Sequence, residues 1–349
     1  MHVTKRYETL DGLRGVAALA VLWLHITEVL HVEPRPVSAH LGVDFFFCLS
    51  GFVIAHAYED RLKTVLSFGG FMRERAIRLM PLAALGAVLG GLVVLARVVI
   101  YHDAPALGVL GATALNMALL PTSALSVTNN FTFPTDPPLW SLSFEVAINV
   151  AFGLLVLRLT TPRLAAVVIG AVALTIWTAA RNGGLDVGWA WPHLADGFAR
   201  VLFPFAMGVL LRRLPVWRNH LALALPVVLA ALLLAPNLGA MGQAAVVILA
   251  VPVIVYVGAG AAPSRADGVA RWLGLMSYPI YVIHHPLLRV IQRGAEMVHI
   301  RNPAVLVAAG FIVPLIAAYL LNRFYDVPVR AWLATWTPCR RAAIRRPAT

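Results

Sequence analysis

Apolar runs of about one membrane thickness recur along the chain, separated by short polar connectors. They cover roughly 13–31, 41–58, 79–101, 138–158, 163–180, 198–214, 220–236, 240–258, 272–292 and 303–324. A helix needs roughly 20 apolar residues to cross the hydrocarbon core, so each run predicts a transmembrane α-helix. The pattern as a whole predicts an all-α, polytopic bundle of about ten spans. Residues 107–125 form an eleventh apolar segment.

Connector charge orients the spans, because Lys and Arg accumulate on the cytoplasmic side. The head carries Lys5 and Arg6 and the tail reads CRRAAIRR, so both termini are expected in the cytoplasm, which requires an even number of crossings. Connector 59–78 holds Arg61, Lys63, Arg73, Arg75 and Arg78. Arg158 with Arg163, Arg212 with Arg213 and Arg218, and Arg265 with Arg271 mark three further inside connectors. Residues 121–139 contain no Lys or Arg and read as outside, as does 101–106. With both ends outside, 107–125 is expected to dip in and return, or to lie in the interface. Arg289, Arg293 and Arg301 fall outside in this scheme and are its one exception.

Composition agrees with a membrane protein. Hydrophobic residues make up 60% of the 349-residue chain and charged residues 13%, with a mean hydropathy of +0.80; soluble domains carry about 25% charged residues. The net charge of +12 therefore reads as connector charge and not as a nucleic-acid footprint. Cys48 sits in an apolar run and Cys339 in the basic tail, so neither a disulfide framework nor a metal set can be built. The first apolar run lacks a small-residue cleavage site and reads as an anchor, not a signal peptide. No polar stretch is long enough for an appended soluble domain. The expectation is one membrane domain over 1–349, with a short basic cytoplasmic tail over 325–349. The Asn130-Phe131-Thr132 triplet matches a glycosylation acceptor pattern.

Ionisable residues inside spans are functional candidates by default. Arg14 and His25 share nearly one helix face, about 16 Å apart along the axis. Arg14 is expected at the cytoplasmic mouth and His25 near mid-membrane, where it either packs as a hydrogen-bonded residue, with Glu28 as a partner, or serves chemistry. Asp44 reads as a solvated helix-start residue or a functional one, and Ser50-Gly51 as a close-packing notch or a polar contact. Arg75 and Arg78, spaced i,i+3, are topology anchors or a cradle for phosphates, which the guanidinium fork suits. Trp140 suits an interfacial belt. Glu145 lies deeper and needs a partner or a proton, with Ser141 one turn before it on the same face. Ser277, Tyr281 and His284 form one stripe. His284 and His285 precede Pro286, and one of them could satisfy the carbonyl that this proline frees.

Together the stretches LDGLRGVAALAVLWLH, GVDFFFCLSGFVI, FMRERAIRLMPL, PPLWSLSFEV, SYPIYVIHHPLL and YDVPVRAWL resemble acyltransferase family 3, integral-membrane acyltransferases of bacterial surface glycans, lipid-linked glycans and some antibiotics. The resemblance runs from about residue 10 to 333. It implies an acyl-CoA co-substrate reached from the cytoplasm, acetyl-CoA foremost, no metal, and a bacterial inner-membrane location. It implies His25 as the catalytic histidine, Glu145 as the acidic site residue, and Arg14, Arg75 and Arg78 as donor-binding residues. Asp44, Ser50, Trp140, Ser141, Tyr281 and His284 are the candidate substrate contacts. The acceptor is expected to be a hydroxyl of a saccharide or lipid-linked glycan. A proton-coupled transporter or flippase, using Asp44, Glu145 and the histidines as a relay, is the alternative. It does not call for the Arg-x-x-Arg pair, and no internal repeat of the kind common in transporters is visible.

Overall fold

The computed structural model describes residues 7–123, 125 and 130–336. The basic head at Lys5 and Arg6, Cys339 and the CRRAAIRR tail lie outside the described residues. Among the described residues the chain is helical, with no strand. In order come α1 (Glu8–Leu30), α2 (Gly42–Thr64), α3 (Phe68–Tyr101), α4 (Ala106–Met117), α5 (Leu139–Leu155), α6 (Thr161–Asn182) and α7 (Leu194–Arg213). They are followed by α8 (Ala224–Leu233), α9 (Gly239–Ala245), α10 (Val251–Gly260), α11 (Asp267–Met297), α12 (Pro303–Leu321) and α13 (Val327–Thr335). Among the described residues seven helical segments are long and apolar enough to cross a membrane: α1, α2, α3, α6, α7, α9 with α10, and α12 with α13.

Local chemistry sets the boundaries. Ser67 accepts the Gly70 N–H at 3.2 Å and starts α3. Asn302 accepts from Ala304 N–H at 2.9 Å, with Pro303 in the first helical position of α12. Gly183, at φ +70°, ends α6 in the left-handed conformation that glycine tolerates best. Two π-turns, Val246–Ala250 and Asn322–Asp326, each lead into a helix with proline near its start, Pro252 and Pro328. Widening the turn there accommodates the proline, which has no N–H to offer the ladder.

The second π-turn carries the helix into the stretch expected as the tail. The chain continues as helix through α13 to Thr335 instead of leaving the bundle near 324. It docks on α3 through Tyr325 Oη to Pro81 O at 3.1 Å and Arg73 Nη2 to Leu333 O at 3.3 Å. Segment 107–125 holds α4, whose 12 residues span about 18 Å, too short to cross. Val109 and Ala112 pack α4 against Val98 of α3.

Side-chain pairs fix the helix directions. Arg14 bonds Ser277 and His25 bonds His284, so α1 and α11 run parallel. Tyr278 bonds the Leu79 carbonyl and Arg293 lies over Tyr101, so α3 runs with them. Tyr7 meets Phe52 and His56 edge-on while Gly42 lies beside Val21, so α2 is antiparallel to α1. Asp44 pairs with Arg200 and His56 with Arg212, so α7 follows α2. Arg14, Arg75 and Arg78 consequently meet in one half of the bundle, and His25 and His284 lie in the other. Helix α11 carries its polar residues through the centre because it is enclosed: every residue from Met276 to Pro286 is buried.

Helices α2 and α7 touch backbone to backbone. A Cβ at Gly51 would fall on the Phe205 carbonyl, and one at Gly208 on that of Cys48. Lipid tails are as apolar as the helices, so close van der Waals approach holds such pairs together. Gly208→Val is expected to destabilise the protein by about 1–3 kcal/mol or more through overpacking. Thermal unfolding in detergent measures this, with Gly111→Ala as the control, since its Cβ would meet nothing within 4 Å.

Candidate active site

Five helices, α1, α2, α3, α5 and α11, surround a cavity of about 140 Å³. Arg14, Ser50, Arg75, Arg78, Ser141, Glu145 and Tyr281 all line it, although they come from all five helices. Arg14 Nε donates to Ser277 Oγ at 2.8 Å, and its Nη2 stands 3.4 Å from Asp11. Glu145 Oε1 accepts from Arg75 Nη2 at 2.7 Å and from Ser50 Oγ at 3.0 Å. The deep carboxylate thus has its partner, and the Ser50-Gly51 pair divides its work: Gly51 is the packing notch and Ser50 the polar contact. Arg75 Nε is buried with no hydrogen-bond partner among the described residues. Arg78 packs over the Tyr278 ring at 5.0 Å and stands 3.9 Å from Asp326. Among the described residues Glu145 is the one carboxylate that lines the cavity beside these three arginines, while Asp11 and Asp326 approach Arg14 and Arg78 from outside its lining.

The cavity ends where Ser141 Oγ and Tyr281 Oη share a 2.6 Å hydrogen bond, beside Phe46, which meets the Tyr281 ring edge-on at 5.6 Å. His25 and His284 are not among the lining residues. They stand one helical turn beyond Tyr281, with ring centroids 4.9 Å apart. His25 Nδ1 is 3.0 Å from Val21 O and 3.0 Å from His284 Nε2, and His284 Nδ1 is 2.9 Å from Ile280 O. The other nitrogen of His25, Nε2, stands 3.9 Å from Glu28, which is engaged by Arg35. The nearest partner of His25 across the bundle is therefore His284, and Glu28 is a more distant neighbour than the sequence suggests.

Asp44 and Trp140 are placed elsewhere. Asp44 is fully buried and takes Arg200 Nε at 3.0 and 3.1 Å and Nη2 at 2.8 Å. Arg200 also donates to Val187 O at 3.1 Å and His40 O at 2.7 Å, and lies over the Trp140 ring at 5.3 Å. Asp44 is neither solvated nor turned to the cavity: its carboxylate is occupied by a guanidinium. Trp140 is buried at 6% exposure against Phe47 and Phe144, not set in an interfacial belt.

Three partners escaped the sequence reading. Arg200 is an arginine inside an apolar run, a signal available by the same rule that picked out Asp44. Tyr278 adjoins the Ser277 stripe. Asp326 fell in the expected tail; it is buried and pairs with Arg330 at 3.1 Å.

A family model described as an acyltransferase domain matches residues 7–323. The chain is 25% identical to Acyltransferase MdmB of Streptomyces mycarofaciens over 377 aligned residues, 97% of this chain and 95% of that protein. It is 32% identical to "Protein 2 in picA locus" of Rhizobium radiobacter over 157 residues, 42% of this chain and 81% of that protein. No solved structure matches the chain.

Proposed function

This chain belongs to the acyltransferase-domain family, and from that premise we propose that it moves an acyl group, acetyl foremost, from cytoplasmic acyl-CoA to a hydroxyl of a saccharide, lipid-linked glycan or similar acceptor. Adding α5, α11 and the whole run 220–236, in which the short α8 carries the chain from Asn219 beside Gly260 to Pro236 beside Ser38, to the seven long apolar segments makes ten crossings, with both termini in the cytoplasm of a bacterial inner membrane. Arg14, Arg75 and Arg78 then face the cytoplasm, and His25 the opposite half.

The observation that carries the reading is the convergence of Arg14, Arg75 and Arg78 on one cavity that ends a helical turn short of the His25–His284 pair. Coenzyme A bears several phosphates, and the guanidinium fork binds phosphate oxygens through paired N–H donors. Arg75 Nε, buried in this wall, is an N–H that no group among the described residues accepts. The narrow space suits an extended pantetheine arm, with its thioester passing Phe46 and Tyr281 towards His25. The acceptor approaches from the opposite side. His25 takes the hydroxyl proton as the oxygen attacks the thioester carbonyl. The carbon–sulfur bond breaks, and the imidazolium returns the proton to the leaving thiolate. Histidine suits both transfers because its pKa lies near neutrality.

The test is to incubate membranes containing the protein with acyl-labelled acetyl-CoA and a lipid and glycan extract. Label is expected in a lipid or saccharide fraction only when the protein is present. Absence of both donor binding and transfer overturns the reading. Within the donor wall, Arg78→Gln is expected to raise KM for acetyl-CoA about tenfold, the loss of one charged hydrogen bond of about 1.5–3 kcal/mol partly replaced by water. Acetyl-pantetheine, which has no phosphates, should be used equally by wild type and variant. A KM rise for both donors would remove Arg78 from phosphate binding.

A further inference from the structure

The hydrogen bonds around His25 determine which of its nitrogens carries a proton. A carbonyl oxygen only accepts, so the 2.9 Å contact between His284 Nδ1 and Ile280 O places a proton on that Nδ1. Neutral His284 then presents a bare Nε2. His25 Nδ1 lies 3.0 Å from this lone pair and 3.0 Å from Val21 O, so it faces two acceptors and must itself be the donor. The Nε2 of neutral His25 is left unprotonated.

We propose that His284 is a positioning residue that accepts the Nδ1–H of His25, holding Nε2 as the basic atom and steadying the ring when it becomes an imidazolium. Val21 O cannot do this alone. It sits on the same helix, one turn back, and moves with His25. His284 reaches the ring from α11 and ties its plane to a second helix. As His25 takes a proton at Nε2, its Nδ1–H bond to His284 becomes charge-assisted and strengthens. A base within reach of its proton and oriented by a third group is the arrangement that activation of a hydroxyl requires. The other ionisable groups near the ring are Glu28 on α1, His285 on α11, and Asp186 and Arg35 from the connectors. Glu28 stands 3.9 Å from His25 Nε2 and His285 meets the ring edge-on with centroids 5.8 Å apart, so neither takes the Nδ1–H from His284. The role rests on the reading of His25 as the base, whereas the hydrogen bond and tautomer do not.

The experiment is ¹⁵N NMR of histidine-labelled protein in lipid nanodiscs, with the two signals assigned by their loss in His25→Gln and His284→Gln. His25 is expected with its proton on Nδ1, and with a resolved coupling across the hydrogen bond to His284 Nε2. A proton on Nε2 of His25, or no coupling, overturns the proposal. Turnover supplies the second arm. His284→Leu is expected to lower kcat roughly 10–100-fold with KM for acetyl-CoA unchanged. His284→Gln, whose amide oxygen can accept the same bond, should recover most of that loss. Equal kcat in the Leu variant removes the positioning role even if the hydrogen bond is observed. Full activity in His25→Ala would remove the base reading itself while leaving the NMR result intact, so the two failures are distinguishable.

Discussion

His25→Ala is expected to lower acyl transfer by about 10²–10⁴-fold, the usual contribution of a positioned general base, equivalent to about 3–5 kcal/mol of barrier. The loss should fall on kcat. His25 does not line the cavity that holds Arg14, Arg75 and Arg78, so binding of a non-transferable acyl-CoA analogue should stay near wild type. Removing the imidazole from α1 also frees His284 Nε2 on α11, so folding must be checked by thermal unfolding in parallel. Single-turnover transfer of labelled acetyl at saturating donor is the measurement. Wild-type turnover in this variant would exclude His25 as the base. Weakened donor binding with unchanged kcat would move His25 into the donor site.

The largest expected effect on stability comes from the Asp44–Arg200 pair. Both residues are essentially inaccessible, at 0% and 1% side-chain exposure, and their carboxylate and guanidinium are joined at 2.8 Å. Removing one partner leaves the other charged and buried, which costs about 3–5 kcal/mol. Asp44→Ala strands a guanidinium that still holds the Val187 and His40 carbonyls, tying α7 to the α6–α7 and α1–α2 connectors. Its unfolding midpoint in detergent should drop steeply. The double variant Asp44→Leu with Arg200→Met removes both charges and should lose less than the two single variants summed. Asp44→Ala within about 0.5 kcal/mol of wild type would show that the pair does not hold the fold. If it instead changed only the KM for the acceptor, Asp44 would belong to the substrate path.

The cavity residues show how far a linear reading reaches. Arg14, Ser50, Arg75, Arg78, Ser141, Glu145 and Tyr281 were each legible as polar positions in or beside an apolar run, and the cavity gathers all seven. Their selection depended on composition within one helix at a time. Their partners did not follow from it: Glu145 takes Arg75, 70 positions away in the chain, and His25 takes His284, 259 positions away. For Asp44 the same rule identified an intramembrane charge but not its neutralising partner, since Arg200 is 156 positions distant. The end of the last helix was misjudged for a local reason. The apolar run thins out after 324, whereas a π-turn carries the helix past that point.

What the sequence determined by itself is the all-helical, membrane-crossing character and the polar positions on the helices that form the cavity. Apolar length against bilayer thickness and the 3.6-residue period are properties of single segments, and each can be read without a neighbour. What the tertiary structure decided is which polar groups share a cavity, which neutralise each other, and which nitrogen of His25 is free. Between apolar helices in lipid, small-residue contacts such as Gly51 on Phe205 and interhelical hydrogen bonds set the pairing. Those contacts exist only between two surfaces, so no single segment encodes them alone.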